Sequence, residues 1–385
     1  MVIGFLHLGR PEHGVCRYGR LLAAAAQRRA DLTVREHAVI LSDERDAQAL
    51  REAAQQLSTA AVVHLQFTEA IWGTDAHRFR NLRTFLRHCH APVVVTIHDT
   101  EPALPQAAFQ PHSLRQRLHF LPRQVRRWLH FTGITPNYLV THHEIRHWLI
   151  ARTAFSVVCT AEEERRLNAP HLRHKIRRIP HFVEARPALP TRTEARAALG
   201  LEAEIVITLL GFIYGGKGYE ILLDSVAQLA RPDVLIVFAG GAIPGNEAYL
   251  HELQARARSL GIEQQLRITG YLSEDDLERY LVATDIPVCP YEQCYASGAL
   301  SSWISAKRPI LTSDLPQFRE YHALAPDAVR LFAPHTPAVL ARALQEAMCA
   351  EAFCGANAGS MRLCETLSIE RIVDQHVRCY QRCVQ

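Results

Sequence analysis

The chain has 385 residues, 48% of them apolar and 21% charged, with a formal net charge of +4 at pH 7. That balance belongs to a soluble globular protein, and the length exceeds one ordinary core and suits two domains. No run of eighteen apolar residues occurs and MVIGFLHLGRPEHG has no basic segment leading into a long apolar one, so neither a membrane span nor a signal peptide is read and a cytoplasmic protein is expected.

Short β-rich runs alternate with helical patterns along the whole chain. The first series is VIGFL (2–6), AVVHL (61–65), PVVVTI (92–97) and FSVVC (155–159). Between the last two, residues 111–152 hold seven arginines, six histidines and one acid, Glu144. Leu114, Leu118, Leu121, Val125 and Trp128 recur there at helical spacing, with Arg115, Arg117, Arg123, Arg126 and Arg127 on the other faces and Pro122 interrupting. A basic amphipathic segment can lie on an anionic membrane, gather a phosphate-bearing acceptor such as a lipid-linked diphosphate sugar, or simply solvate a core helix. The charge is one local patch without a recognition module, so no nucleic-acid partner is expected.

Residues 181–201 lose the strand–helix rhythm, and the interdomain linker is placed near Glu184–Thr191. A second series follows: EIVITLLG (204–211), DVLIVFAGG (233–241), LRITG (266–270), DIPVCP (285–290), RPILTSD (308–314) and VRLF (329–332). Continuous apolar strands between helices mean parallel sheets covered on both faces, an α/β architecture of two doubly wound domains. The expected division is 1–184, 185–364 and a terminal helix, 365–385, crossing back to the first domain. The ten cysteines are scattered without ligand spacing and read as reduced thiols packed as small hydrophobes, so no metal site is expected.

The second domain carries the chemistry. GFIYGGKGYE (211–220) has the glycines and lysine of a phosphate loop as far as Lys217, but Gly218 stands where Mg²⁺ coordination needs Ser or Thr. What survives is a strand, a glycine turn including Gly216, an ammonium and a helix start, a combination suited to a diphosphate. Lys175, Lys217 and Lys307 are the only lysines, all other cations being arginine, which makes a lysine here more than a generic surface charge. Gly240–Gly241, Gly270–Tyr271–Leu272 and Pro290–Gly298 also fall at strand ends, where open α/β sheets bind ligands.

Lys217–Gly218 in its turn, the Gly-Gly strand end, ITGYLSEDDLERYLVATDIPVCPY and SG…RPILTSDLPQFRE together resemble the donor domain of glycosyltransferase family 4 over residues 204–322. PEHGVCRYGRLLAAAA (11–26), VVVTIHDTEP (93–102) and FSVVC…RRIPHFVE (155–184) are similar to the family's first domain. The resemblance implies a GT-B fold, two Rossmann-like domains facing across a cleft, and a retaining transferase with a nucleotide-sugar donor, UDP- or GDP-linked, and a glycan or lipid-linked acceptor. It implies no cofactor and no essential metal, and no Asp-x-Asp occurs. Lys217 and His98 take the catalytic positions, with Asp99 beside the latter. Gly14, Gly216, Gly241, Tyr271, Leu272, Ser297 and Gly298 take the donor positions. Arg115, Arg123, Arg126 and Arg127 are assigned to the acceptor or a membrane surface.

The sequence departs from the family at two glutamates eight residues apart, whose positions hold Cys294 and Ser302, and at an arginine, replaced by Phe212. Glu292 stands two residues early as a possible substitute. A branch with Pro-Tyr…Ser-Gly shares the loss, and Ser297–Gly298 fits it. Two alternatives stay open: a catalytically inactive nucleotide- or glycan-binding scaffold, and a sugar-nucleotide epimerase.

Overall fold

The computed structural model describes residues 1–10, 13–41, 46–73, 77–98, 100, 142–243, 245–294, 297–349 and 356–385. The chain forms two compact units, 1–180 with 372–385 and 181–371. The expected boundary at 184 thus falls four residues late. Val183 bridges in parallel to Ser368, His181 Nδ1 lies 2.9 Å from Ser301 Oγ, and buried Arg186 bonds Ser305 Oγ (2.9 Å) and Glu278 (2.8 Å). These contacts fasten the linker to the second unit. Similarly, the expected return at 365 comes at Ile372, inside the terminal helix Ile369–Gln381.

The first unit holds a parallel sheet with strand order β2-β1-β3-β4-β5-β6. Its strands are β1 (Val2–Leu8), β2 (Thr33–Val39), β3 (Val62–Phe67), β4 (Val93–Ile97), β5 (Phe155–Val158) and β6 (Ile176–Arg178). The second unit repeats the plan in the order β12-β11-β10-β7-β8-β9. There the strands are β7 (Ile205–Leu210), β8 (Val234–Ala239), β9 (Leu266–Ile268), β10 (Ile286–Cys289), β11 (Ile310–Ser313) and β12 (Val329–Phe332). All ten apolar runs read from the sequence are strands. The two strands without such a run, β2 and β6, are sheet edges. TVREHAV buries only Val39 and carries charges where a central strand carries apolar residues on both faces.

In the second sheet, β7 leads to β8 and β9 on one side and to β10, β11 and β12 on the other. The order of strand addition therefore reverses between the parallel strands β7 and β10, and the crevice beyond their carboxyl ends is where doubly wound sheets hold ligands. The core beneath is mainly apolar: Val206, Ile207, Leu209, Ile236, Phe238, Val288 and Trp303 are completely enclosed, and buried Thr208 and Thr284 hydrogen-bond each other at 2.7 Å. Among the described residues no helix is long and apolar enough to cross a membrane.

Candidate functional site

The turn 211–218 leaves β7 at this switch point and is fixed by backbone bonds on both sides. Gly211 N and Ile213 N donate to Ala239 O (3.0 Å) and Gly241 O (2.8 Å), the strand end after β8. On the other side Glu292 N, after β10, donates to Gly216 O (3.0 Å). Buried Tyr219 donates to the carbonyls of Gly211 and Phe212, both at 3.2 Å. Two glycines allow this approach. A Cβ on Gly218, whose φ is +78°, would lie 1.9 Å from Pro290 O, and one on Gly240 would lie 2.1 Å from Gly211 O. Gly216 has φ +84° with open space around it.

Lys217 is half-buried in this turn, directly before the helix Tyr219–Leu229. Its Nζ stands 5.0 Å from the Tyr214 ring centroid and 5.4 Å from that of Tyr291, within cation–π reach. Among the described residues it makes no ion pair or hydrogen bond. Desolvation pushes its pKa down from 10.5 to about 8, so it remains mostly cationic at neutral pH. The neighbouring Cys289 thiol is pushed up to about 12 by burial and supplies no counter-charge. A desolvated cation on two aromatic faces, at a helix start and without an acid among the described residues, carries a charge that an anion would offset.

The segment after β10 is held equally firmly. His335 Nε2 donates to Pro290 O (2.9 Å), Ser313 Oγ to Tyr291 O (2.6 Å) and Gln317 Nε2 to Cys294 O (2.6 Å). Ser297 caps the helix Gly298–Ser305, its Oγ accepting from Leu300 N at 3.2 Å. A Cβ on Gly298 would meet nothing within 4 Å, so the space above this helix start is open. Cys294 is enclosed at 4% exposure, and the Ser302 hydroxyl donates to Gly298 O (3.0 Å). Neither position offers a carboxylate. Glu292 is exposed.

After β8 and β9, Gly241 packs against Gly270 and Tyr271, and Leu272 is half-buried on the core. Tyr271 is 65% exposed, its ring 6.2 Å from that of Phe212, also exposed. Lys217, Gly216 and Glu292 are thus brought together by direct contacts, Gly241 and Tyr271 by another, and Ser297–Gly298 follows the same strand as Glu292. Tyr214, Tyr219 and Tyr291 were not singled out from the sequence. The Pro-Tyr pair after β10 was the available signal for the last of them.

Gly14 and His98 belong to the first unit. Gly14 opens the helix Gly14–Gln27, with His13 Nδ1 accepting from Val15 N (3.3 Å) and open space at its Cβ position. His98 follows β4, is 9% exposed, bonds Gln66 Oε1 (2.8 Å) and meets the Tyr18 ring edge-on at 5.0 Å. Asp99, Arg115, Arg123, Arg126 and Arg127 lie outside the described residues. Among the described residues no three His, Cys, Asp or Glu side chains converge as metal ligands.

Comparison with known proteins gives this geometry a relation. Residues 191–354 match the family model "Glycosyl transferases group 1". Over the whole chain the backbone superposes on Anabaena HepE in complex with UDP and glucose at a TM-score of 0.70 and 14% identity, covering 98% of this chain and 99% of that one. For sucrose-phosphate synthase from Thermosynechococcus elongatus the values are 0.71, 17%, 99% and 98%. The fold is GT-B. Sequence likeness is confined to shorter stretches. Mannosylfructose-phosphate synthase of Agrobacterium fabrum is 32% identical over 101 residues, 25% of this chain and 22% of that protein. D-inositol 3-phosphate glycosyltransferase of Mycobacterium sp. strain KMS is 38% identical over 113 residues, 29% of this chain and 25% of that protein. The chain therefore matches about a quarter of the length of these curated relatives.

Proposed function

We propose that this GT-B chain is a retaining glycosyltransferase of family 4 type. It moves a sugar from a nucleotide-sugar, UDP- or GDP-linked, to a glycan, lipid-linked or small-molecule acceptor, without an essential metal. The observation that carries the reading is Lys217: a desolvated ammonium without an acidic partner, in a glycine turn at the switch point of the second sheet. The group 1 match over 191–354 and the named sugar transferases among the relatives support it.

In this reading the donor diphosphate lies between Lys217 and the helix start at Ser297–Gly298, near Gly216 and Gly241, with the base toward Tyr271 and Leu272. Scission of the bond between the anomeric carbon and phosphate oxygen builds charge on the leaving diphosphate. The ammonium and the N–H groups of the helix starts would offset that charge. The acceptor oxygen forms the new bond, and its proton passes to the leaving phosphate. Gly14 and His98 of the first unit address the donor phosphate and sugar, and Arg115, Arg123, Arg126 and Arg127 the acceptor or the inner membrane face. One observation favours a second reading, nucleotide binding without turnover: the enclosed thiol of Cys294 and the tied hydroxyl of Ser302 stand where carboxylates would grip sugar and ribose.

Proton NMR of nucleotide-sugars incubated with the protein and candidate acceptors separates the two. Turnover is expected to give a product whose anomeric coupling matches the donor and whose rate is unchanged by a chelator. Binding of the nucleotide with no product from any acceptor supports the second reading.

A further inference from the structure

The first unit carries a concentration of arginines that the Lys217 turn does not involve. A pocket of about 280 Å³ is lined by Arg177, Arg178, Arg378 and Arg382, with Ile179, Gln375 and Cys379 completing it. It lies between the edge strand β6 and the terminal helix Ile369–Gln381. Four arginines line this one concavity, and among the described residues Arg178 pairs with Glu164 at 3.3 Å. Arg378 and Arg382, one helical turn apart, make no ion pair or hydrogen bond among the described residues. Arg177 is already oriented, stacked 4.3 Å over Phe155 and donating to the carbonyls of His174 (2.7 Å) and Ile176 (2.9 Å). Ile179 and Cys379 are enclosed and apolar, which strengthens electrostatics at the rim.

Like charges one turn apart on a helix repel and destabilise it slightly. The last turn of a helix welcomes one cation, which accounts for Arg378 alone. It accounts neither for Arg382 beyond the helix end nor for the two arginines of β6 brought against them. Guanidinium forks match the oxygens of phosphate bidentately. The pocket volume is at the small end for ligand sites and suits a phosphate or diphosphate group rather than a whole nucleotide.

We propose that Arg177, Arg178, Arg378 and Arg382 form a second site that binds a phosphate or diphosphate group, supplied by a soluble phosphorylated ligand or by an anionic lipid headgroup. This site does not rest on the sugar-transfer reading. The test titrates the full chain, carrying Lys217→Ala to silence the turn of the second unit, with inorganic pyrophosphate by calorimetry. Arg378→Ala/Arg382→Ala, both exposed, is expected to weaken binding roughly a hundredfold, about tenfold for each fork lost. Arg378→Lys/Arg382→Lys, which keeps the charge, is expected to recover only part. Binding unchanged by the alanine pair, or fully kept by the lysine pair, overturns the site. Co-sedimentation with phosphatidylglycerol but not phosphatidylcholine vesicles at about 0.15 M salt, lost in the alanine pair, assigns the phosphate to lipid. Pyrophosphate binding without co-sedimentation assigns it to a soluble ligand.

Discussion

Lys217 combines a cost in stability with a proposed use in binding. Its folded pKa of about 8 lies below the ordinary 10.5 because its surroundings desolvate the charged form. Between those values the unfolded chain holds more protons than the folded one, so stability rises with pH across that window. Below about pH 8 both states are charged and the desolvation penalty is present in full. Lys217→Met is therefore expected to melt a few degrees higher than wild type at pH 7, with the gap closing between pH 8 and 10.5. The same substitution is expected to lower nucleoside diphosphate affinity about ten- to a hundredfold. Melting curves over pH, paired with nucleotide titrations, check both effects. A lower melting temperature for the variant would show the ammonium to be a structural support.

At the level of elements, the glycines around this lysine divide into two kinds. Gly218 and Gly240 let three strand-end turns touch, and a methyl group at either would collide with a carbonyl oxygen. Gly218→Ala and Gly240→Ala are each expected to destabilise the chain by about 1–3 kcal/mol in denaturant unfolding. Gly298 faces open space at a helix start. Gly298→Ala is expected to leave stability within about 1 kcal/mol of wild type while weakening nucleotide binding, because the methyl group takes the ligand's room. Equal destabilisation by all three would remove the distinction. These turns were legible in the sequence because apolar runs mark where parallel strands stop and glycines mark where backbones meet. β2 was not legible, because an edge strand buries little and TVREHAV shows its charges. Tyr214 and Tyr219 were not either: their neighbourhood of Lys217 and of the Gly211 carbonyl exists only once the turn has folded. The pocket of four arginines joins residues about two hundred apart in sequence, a pairing that composition does not reveal.

For the whole molecule, the terminal helix completes the core of the first unit. Ile372, Val373, Val377 and Tyr380 are enclosed there, and Tyr380 hydrogen-bonds His64, which also pairs with Thr96 at 2.9 Å. His376 lies 5.3 Å from His64, ring to ring, and its Nδ1 donates to Ile372 O (2.9 Å). Burial holds both rings neutral, His64 well below its usual range and His376 down to about 4. Their folded pKa values lie below the unfolded 6.5, so the stability they contribute is present above pH 6.5 and is lost as pH falls toward 4. His376→Leu is expected to flatten that acid slope, while Tyr380→Phe, which removes the partner of His64 Nδ1 and leaves the Thr96 bond in place, costs about 1–3 kcal/mol at pH 7. An unchanged acid slope in His376→Leu would mean other groups govern it.

The Lys217 turn as a diphosphate site is tested most directly by the melting temperature of the purified chain against UDP, GDP, ADP, CMP and dTDP. A ligand that binds only the folded state must raise that temperature. The expected result is a rise with one nucleoside diphosphate, absent in Lys217→Ala and retained in Arg378→Ala/Arg382→Ala. No rise with any nucleotide, or a rise that survives Lys217→Ala undiminished, would contradict the assignment.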